Sequence, residues 1–110
     1  MNSRRQERLA ALYQKTIAAY LQKELRLEKG IMVVTKVELS KKLDHLWVYY
    51  SVWPDPEEKN VLKFLENLKP ELKGHLADKI KTKFLPEMEF RLDESEKKRL
   101  KIEDLLKKTK

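Results

Sequence analysis

The sequence predicts one α+β domain, on three observations. Its 110 residues suit a single hydrophobic core and leave no room for a second. Apolar stretches of helical period are interleaved along the chain with stretches of strand period. The few prolines and glycines stand singly between those stretches, as punctuation and not as a linker, and no segment repeats. Apolar residues make up 41% of the chain and charged residues 39%, enough for a core beneath a heavily charged surface and unlike a disordered polyelectrolyte.

From about Ser3 to Arg26, the apolar positions Leu9, Leu12, Tyr13, Thr16, Ile17, Tyr20, Leu21 and Leu25 recur at steps of three and four. They predict an amphipathic helix with Arg4, Arg8 and Lys15 on another face, closing near Lys29 and Gly30. Ile31 to Leu39 alternates as a strand, with Ile31, Val33, Thr35, Val37 and Leu39 on one side and Met32, Val34, Lys36 and Glu38 on the other. After a polar turn, Ser40 to Asp44, the aromatic and β-branched run Leu46 to Trp53 predicts a second strand with Leu46, Val48, Tyr50 and Val52 inward, paired with the first as a hairpin. Pro54 ends it; Asp55 is placed to cap a helix with Pro56 at its first position and Glu57 and Glu58 favourable to its dipole. Val61, Leu62, Leu65 and Leu68 give that helix an apolar face as far as Pro70, where the missing N–H and the ring should kink or break it. A further helix is expected with Leu72, Leu76 and Ile80 inward, Lys79 and Lys83 along its border and Lys81 pointing away. Past Pro86, Met88, Phe90 and Leu92 alternate as a half-buried strand. Asp93 to Glu96 forms an Asp-x-x-Glu helix start for Leu100, Ile102, Leu105 and Leu106, followed by a lysine tail. The order is α-β-β-α-α-β-α.

Charge is more informative by position than in total. The net +7 divides as +4 over residues 1–30, zero over 31–93 and +3 over 94–110. Within the neutral middle, Asp55 to Glu66 is acidic and Lys69 to Lys83 basic. Clustered positive charge attracts a phosphate backbone and gains affinity by releasing its counterions; a solvated lysine surface is the alternative. Cysteine is absent, which removes disulfides, thiolate zinc sites and thiol nucleophiles and fits the cytoplasm. The polar, basic N-terminus is unlike a signal peptide, and no apolar run is long enough to span a membrane. His45 and His75 lie far apart without a Cys, Asp or Glu at ligand spacing, so no metal site is expected. Glu57-Glu58 and Glu87-x-Glu89 read as helix-dipole and strand-surface acids, not as a catalytic pair. With Gly30 and Gly74 the only glycines there is no phosphate loop, and neither a nucleotide cofactor nor a small-molecule substrate is expected. Tyr49 and Trp53 could stack on bases, but cross-strand packing or cover by the last helix is the simpler expectation.

The order of the first six elements, α-β-β-α-α-β, is that of a type II KH domain, in which helices pack on one face of a three-stranded sheet. KH domains grip single-stranded RNA with a GxxG loop between two helices. Here the equivalent junction reads Leu68-Lys69-Pro70. It resembles the ribosome-binding factor A family, a KH-like family whose helix pair is joined by an Ala-x-Gly kink, with Leu-x-Pro in that slot. The hairpin Val34-Thr35-Lys36-Val37-Glu38-Leu39-Ser40, with Leu43, His45 and Val48-Tyr49-Tyr50-Ser51-Val52, is similar to the family's signature. So are Leu85-Pro86-Glu87-Met88-Glu89-Phe90 at a strand entry and the ending Asp93-Glu94-Ser95, Ile102 and Leu105-Leu106. Glu96 and Arg99 depart from it, standing where the family usually has an apolar residue and a glycine.

The resemblance implies a non-enzymatic assembly factor of the small ribosomal subunit. Its partners would be the free 30S particle and 16S rRNA, and its roles late maturation, precursor processing and cold adaptation, as a cytoplasmic monomer. Residues 1–93 would be the KH-like RNA-binding part and 94–110 a C-terminal helix and basic tail of the same domain. The residues placed to contact phosphates are Arg4, Arg5 and Arg8 on the first helix, with Lys69, Lys73, Lys79, Lys81 and Lys83 around and after the kink Leu68, Lys69, Pro70. The other class that fits is a small basic adaptor that binds protein, with incidental RNA affinity.

Overall fold

A computed structural model describes residues 3–25, 30–82 and 84–108. Helix α1 (Ser3–Glu24) is followed by β1 (Ile31–Leu39), β2 (His45–Trp53), α2 (Glu58–Lys79), β3 (Glu87–Leu92) and α3 (Lys97–Lys108), with a 3-10 turn ahead of α2 and another ahead of α3. The strands form one sheet in the order β1-β2-β3, antiparallel between β1 and β2 and parallel between β2 and β3. The parallel step needs a long crossover, which α2 supplies. This is the expected α+β, KH-like layout with an added C-terminal helix.

The hairpin turn falls at Ser40 to Asp44, where the Ser40 hydroxyl donates to Asp44 Oδ1 at 2.7 Å and accepts the N–H groups of Asp44 and His45 at 3.1 and 3.0 Å. Leu43 in this turn adopts a left-handed conformation, φ 61°, which costs on the order of 1 kcal/mol and turns its side chain onto the core.

In β1 the expected alternation is interrupted. Val34 pairs with Tyr50 and Lys36 with Tyr49, so Thr35 is an extra residue in the strand, a β-bulge. A bulge shifts the two-residue period by one. Val37 and Leu39 face the core, but ahead of the bulge Met32 and Val34, predicted on the opposite side of the strand, pack there in place of Ile31, Val33 and Thr35. Cross-strand partners agree on this face: Met32 with Val52, Val34 with Tyr50, Val37 with Val48 and Leu39 with Leu46.

Asp93 fastens the bulge to the end of the sheet. Thr35 Oγ1 donates to Asp93 Oδ2 at 2.6 Å, the Asp93 N–H donates to the Tyr50 carbonyl at 2.6 Å, and the Asp93 carbonyl accepts the hydroxyl of the fully buried Ser51. Asp93 Oδ1 then accepts the Ser95 N–H at 3.1 Å and hydroxyl at 2.6 Å, which begins the turn into α3. The predicted helix start therefore works through Asp93 and Ser95; the Glu96 side chain lies outside the described residues.

Tyr13, Ile17 and Leu21 on α1 and Val61, Leu65, Leu68, Leu72 and Leu76 on α2 are buried against the sheet. Leu12 and Leu62, expected on those faces, are 45% and 41% exposed. Each is one position from a core residue, a rotation of about 100° around the helix, which takes it off the buried stripe. Tyr20 stacks against His75 with ring centroids 4.6 Å apart, while Tyr13 lies beside Thr82, so α1 and α2 run antiparallel.

The two helices expected around Pro70 are one. Helix α2 runs unbroken from Glu58 to Lys79 with Pro70 inside it. Proline removes one helical bond, leaving the Glu66 carbonyl without its partner four residues on, at a cost of about 3 kcal/mol. Leu65, Leu68, Leu72 and Leu76 are all buried on the two sides of Pro70, and each stabilises the continuous helix by roughly 1.5–3 kcal/mol. Their sum exceeds the proline penalty, and Pro70 itself points to solvent. Helix α2 also begins later than expected: Asp55 lies in the 3-10 turn, and the cap residue Glu57 makes no side-chain cap bond.

Helix α1 ends at Glu24, with the Leu25 N–H donating to the Leu21 carbonyl at 2.8 Å. The closure expected near Lys29 and Gly30 falls partly outside the described residues, and Gly30 serves the sheet instead. It has φ +108°, and a Cβ there would lie 2.2 Å from the Trp53 carbonyl oxygen. Only glycine permits that approach where β1 begins beside the end of β2.

Helix α3 packs on the face of the sheet opposite α1 and α2, where Lys101 Nζ sits 5.5 Å from the Trp53 ring. Leu100 is fully buried and Asp104 is 6% exposed, whereas the other apolar residues of the helix, Ile102, Leu105 and Leu106, are 52%, 52% and 64% exposed. The stripe that meets the sheet is the i, i+4 pair Leu100 and Asp104, because the Asp93–Ser95 turn fixes the rotation at which the helix starts.

Two stability changes follow. Gly30→Ala adds both a left-handed alanine and a backbone clash, and should cost about 1–3 kcal/mol in urea unfolding. Asp93→Ala should cost about 1–2 kcal/mol through the lost cap and Thr35 bond. The hydroxyl groups of Ser95 and Thr35 hold the Asp93 carboxyl below its usual value. Its contribution is therefore present above the unfolded-state pKa of about 3.9 and lost as pH falls through the lower folded value. Wild type should lose stability over that acid range, and Asp93→Ala should lose less.

Candidate nucleic-acid interface

The antiparallel helices bring the N-terminus of α1 beside the C-terminus of α2, and the hairpin turn lies at the same end, since the Gln6 side-chain amide donates to the Leu39 carbonyl. Arg4, Arg5 and Arg8 are exposed on the first turns of α1, and Lys79 closes α2. Ile80 turns into an extended conformation and is buried, so Lys81 stands on the segment after the helix and not on the helix itself. Lys83 lies outside the described residues.

Lys41 and Lys42 on the hairpin turn join this group and are exposed. Sequence reading passed over them because the turn carries no motif; that Leu39 and Ser40 abut α1 was the missing information. The cluster includes Glu7, Asp44 and Asp78 as its acidic neighbours, yet Arg4, Arg5, Arg8, Lys42, Lys79 and Lys81 make no ion pair among the described residues.

Lys69 and Lys73 belong elsewhere. Lys69 Nζ pairs with Glu66 at 3.3 Å and lies 5.9 Å from the Phe90 ring; Lys73 Nζ pairs with Glu87 at 3.8 Å. Both therefore lie along β3 with their charge already countered. Of the kink residues, Leu68 is buried, Lys69 is half-buried and Pro70 is exposed, and none offers a backbone loop to a phosphate. The structure separates the eight predicted cations into a free group at one end and a paired group beside β3, with Lys83 undescribed.

Aromatic side chains on the outer sheet face are engaged. The Tyr49 hydroxyl donates to Glu38 at 3.0 Å with Lys36 4.6 Å above its ring, and Trp47 lies between His45 and Arg91, 4.5 and 5.8 Å away. His45 also meets Glu89 at 3.4 Å, and Arg91 together with His45 holds the Glu89 carboxyl below its usual value. No group of three His, Cys, Asp or Glu converges among the described residues.

At the basic end, Tyr13 is fully buried, and its hydroxyl makes no hydrogen bond of good geometry among the described residues. Burial pushes its phenol above the ordinary value, and the nearby Thr82 hydroxyl partly offsets this; that hydroxyl itself donates to the Phe84 carbonyl at 3.1 Å.

Fold and charge together define a KH-like domain with a cluster of exposed cations from α1, the hairpin turn and the end of α2 at one end. Comparison with known proteins is specific. The sequence model of ribosome-binding factor A matches residues 5–106, and the chain belongs to that family. It is 31% identical to ribosome-binding factor A of Syntrophomonas wolfei over all of this chain and 93% of the relative. The solution structure of a Thermotoga maritima protein described as a putative ribosome binding factor A superposes with a TM-score of 0.70 at 30% identity, covering 83% of this chain and 89% of that one. A homology model of the Thermus thermophilus ribosome binding factor A, as fitted into the cryo-EM map of a 30S complex, superposes with a TM-score of 0.66 at 27% identity, covering 76% of this chain and 90% of that one.

If free and paired lysines differ as described, retention on a heparin column should fall clearly for Arg5→Glu with Lys81→Glu and less for Lys69→Glu with Lys73→Glu. Both double variants should melt within about 1 kcal/mol of wild type, as exposed charges usually do.

Proposed function

We propose that the protein is a non-catalytic assembly factor that binds the free 30S subunit through 16S rRNA and assists its late maturation and precursor processing. Family membership carries the reading, supported by a relative of the same fold fitted into a 30S complex. The basic end supplies a physical means. Arg4, Arg5, Arg8, Lys79 and Lys81, with Lys41 and Lys42, present exposed positive charge to phosphates from three chain segments held by one core. Lys83 extends the same stretch of sequence, and Lys69 and Lys73 contribute at β3 once their carboxylate partners are displaced. Binding one conformation of immature rRNA better than others shifts its population by no more than the difference in affinity. Such a role uses no cofactor and no catalytic residue, and the protein carries it out as a monomer in the cytoplasm, including during cold adaptation. The residues 1–93 supply the RNA-binding part, and 94–110 are an accessory helix and tail.

Sedimentation with separated 30S, 50S and 70S particles tests the reading, and binding should be confined to free 30S. The affinity should fall steeply with salt, the slope of log affinity against log salt decreasing by about 0.7–0.9 for each phosphate-binding cation removed. A salt-insensitive complex formed with protein alone would instead identify a basic adaptor.

A further inference from the structure

Strand β1 is one edge of the sheet, and its first half is open. The Ser40 N–H donates to the His45 carbonyl, while the carbonyls of Asp44 and Tyr50 accept the N–H groups of Glu87 and Asp93 on the β3 side. Odd residues of β2 therefore bond toward β1 and even ones toward β3. Val33, opposite Ser51, bonds into the sheet, which leaves the N–H and C=O groups of Met32 and Val34 directed outward. At the far end of the strand the Gln6 side chain covers the edge by donating to the Leu39 carbonyl; among the described residues nothing bonds to the edge at Met32 or Val34. A cavity of about 430 Å³ lies along this stretch. Ala18, Leu21 and Leu25 of α1 wall it on one side of the sheet. Lys107 of α3, exposed and the only ionisable group lining it among the described residues, stands on the other.

We infer that this edge docks an extended segment of a partner protein, which joins the sheet beside β1 as a fourth strand. The segment turns two alternate apolar side chains to the α1 wall and sets an acidic side chain between them at Lys107. Outward main-chain donors and acceptors two residues apart are matched by another strand, which carries both groups at the same spacing. Ile31, Met32, Val33 and Val34 include none of the charges or prolines that usually keep a sheet edge from pairing. The bulge at Thr35 interrupts the edge and limits the incoming strand to the span of residues 30–34, about 17 Å. A second copy pairing through so short a stretch falls below the roughly 1,200 Å² that a stable interface buries, and its own residues 30–34 hold no acid to meet Lys107. Side chains of a strand alternate between the two faces of the sheet, so an apolar wall on one face and a cation on the other select the order apolar, acidic, apolar. A polyanion would find a single cation here. Leu21 lies 13 positions beyond Arg8, about 20 Å along α1. The edge and the basic end can thus be occupied together, and the inference does not depend on RNA binding.

The test titrates isotope-labelled full-length protein, followed by amide NMR shifts, with the end-blocked peptide Thr-Val-Asp-Val-Thr and with the same peptide N-methylated at its three central residues. The largest shifts should fall at the Met32 and Val34 amides. The unmodified peptide should bind at least about fivefold more tightly than the methylated one, the lower limit for two main-chain hydrogen bonds. Lys107→Glu should melt with wild type, weaken the aspartate peptide by about twofold to fivefold and strengthen by a similar factor a version with lysine in place of aspartate. A merely structural lysine would not exchange the two preferences. Equal affinity for the unmodified and methylated peptides, shifts centred elsewhere, or none at millimolar peptide overturns the proposal. So does an unchanged preference in Lys107→Glu. Shifts at the same amides produced by raising the protein concentration alone assign the edge to a second copy, and shifts produced there by octaadenylate assign it to RNA; either result also overturns the partner segment.

Discussion

Thr35 is the residue on which the sheet turns. Without it β1 would present Ile31 and Val33 to α1 and leave Met32 and Val34 to the outer face; with it, both halves of the strand meet the core through the residues that pair with Val52, Tyr50, Val48 and Leu46. A bulge exposes backbone groups and needs a partner to hold it. Asp93 is that partner, and it binds the Tyr50 carbonyl, the Ser51 hydroxyl and Ser95 as well. The face of β1 and the start of α3 are thus set by one carboxylate-bearing residue at the end of β3.

With the sheet fixed, the placement of α1 and α2 follows from burial. Their apolar stripes lie on the same side of the sheet, and the two helices cover it antiparallel. The geometry gathers charge at one end as a by-product: a helix that begins with arginines lies beside one that ends in Lys79, with Lys81 just past it. Such an arrangement opposes favourable helix-dipole placement at the α1 N-terminus, where acidic residues are absent from the first turn. A modest loss of stability there buys a field that reaches beyond the surface and attracts polyanions.

Much of the fold was legible. The strand limits, the hairpin turn and the helix beginning after Asp93 were read from periodicity and turn chemistry, which act over a few residues. The failures were also physical. Pro70 was read by its local penalty, whereas four buried leucines on the two sides of it outweigh that penalty. Leu12 and Leu62 were counted on the apolar faces of their helices because they are apolar, although a helix buries only the stripe that its neighbour covers. The bulge escaped notice because Ile31 to Val34 is apolar at every position, so that either register satisfies the alternation.

The site divided along the same line. Sequence by itself determined that the chain is one basic α+β domain, because composition and period are properties of the chain read in order, and its short motifs resembled those of the ribosome-binding factor A family, to which the chain belongs. Only the tertiary structure decided which cations act together. Lys69 and Lys73 are matched by Glu66 and Glu87, one pairing local and the other across 14 positions. Arg5, Lys42 and Lys81 meet at one cavity although they are distant along the chain. Coulomb forces depend on separation in space, and the separation of these groups is set by how α1 and α2 pack on the sheet.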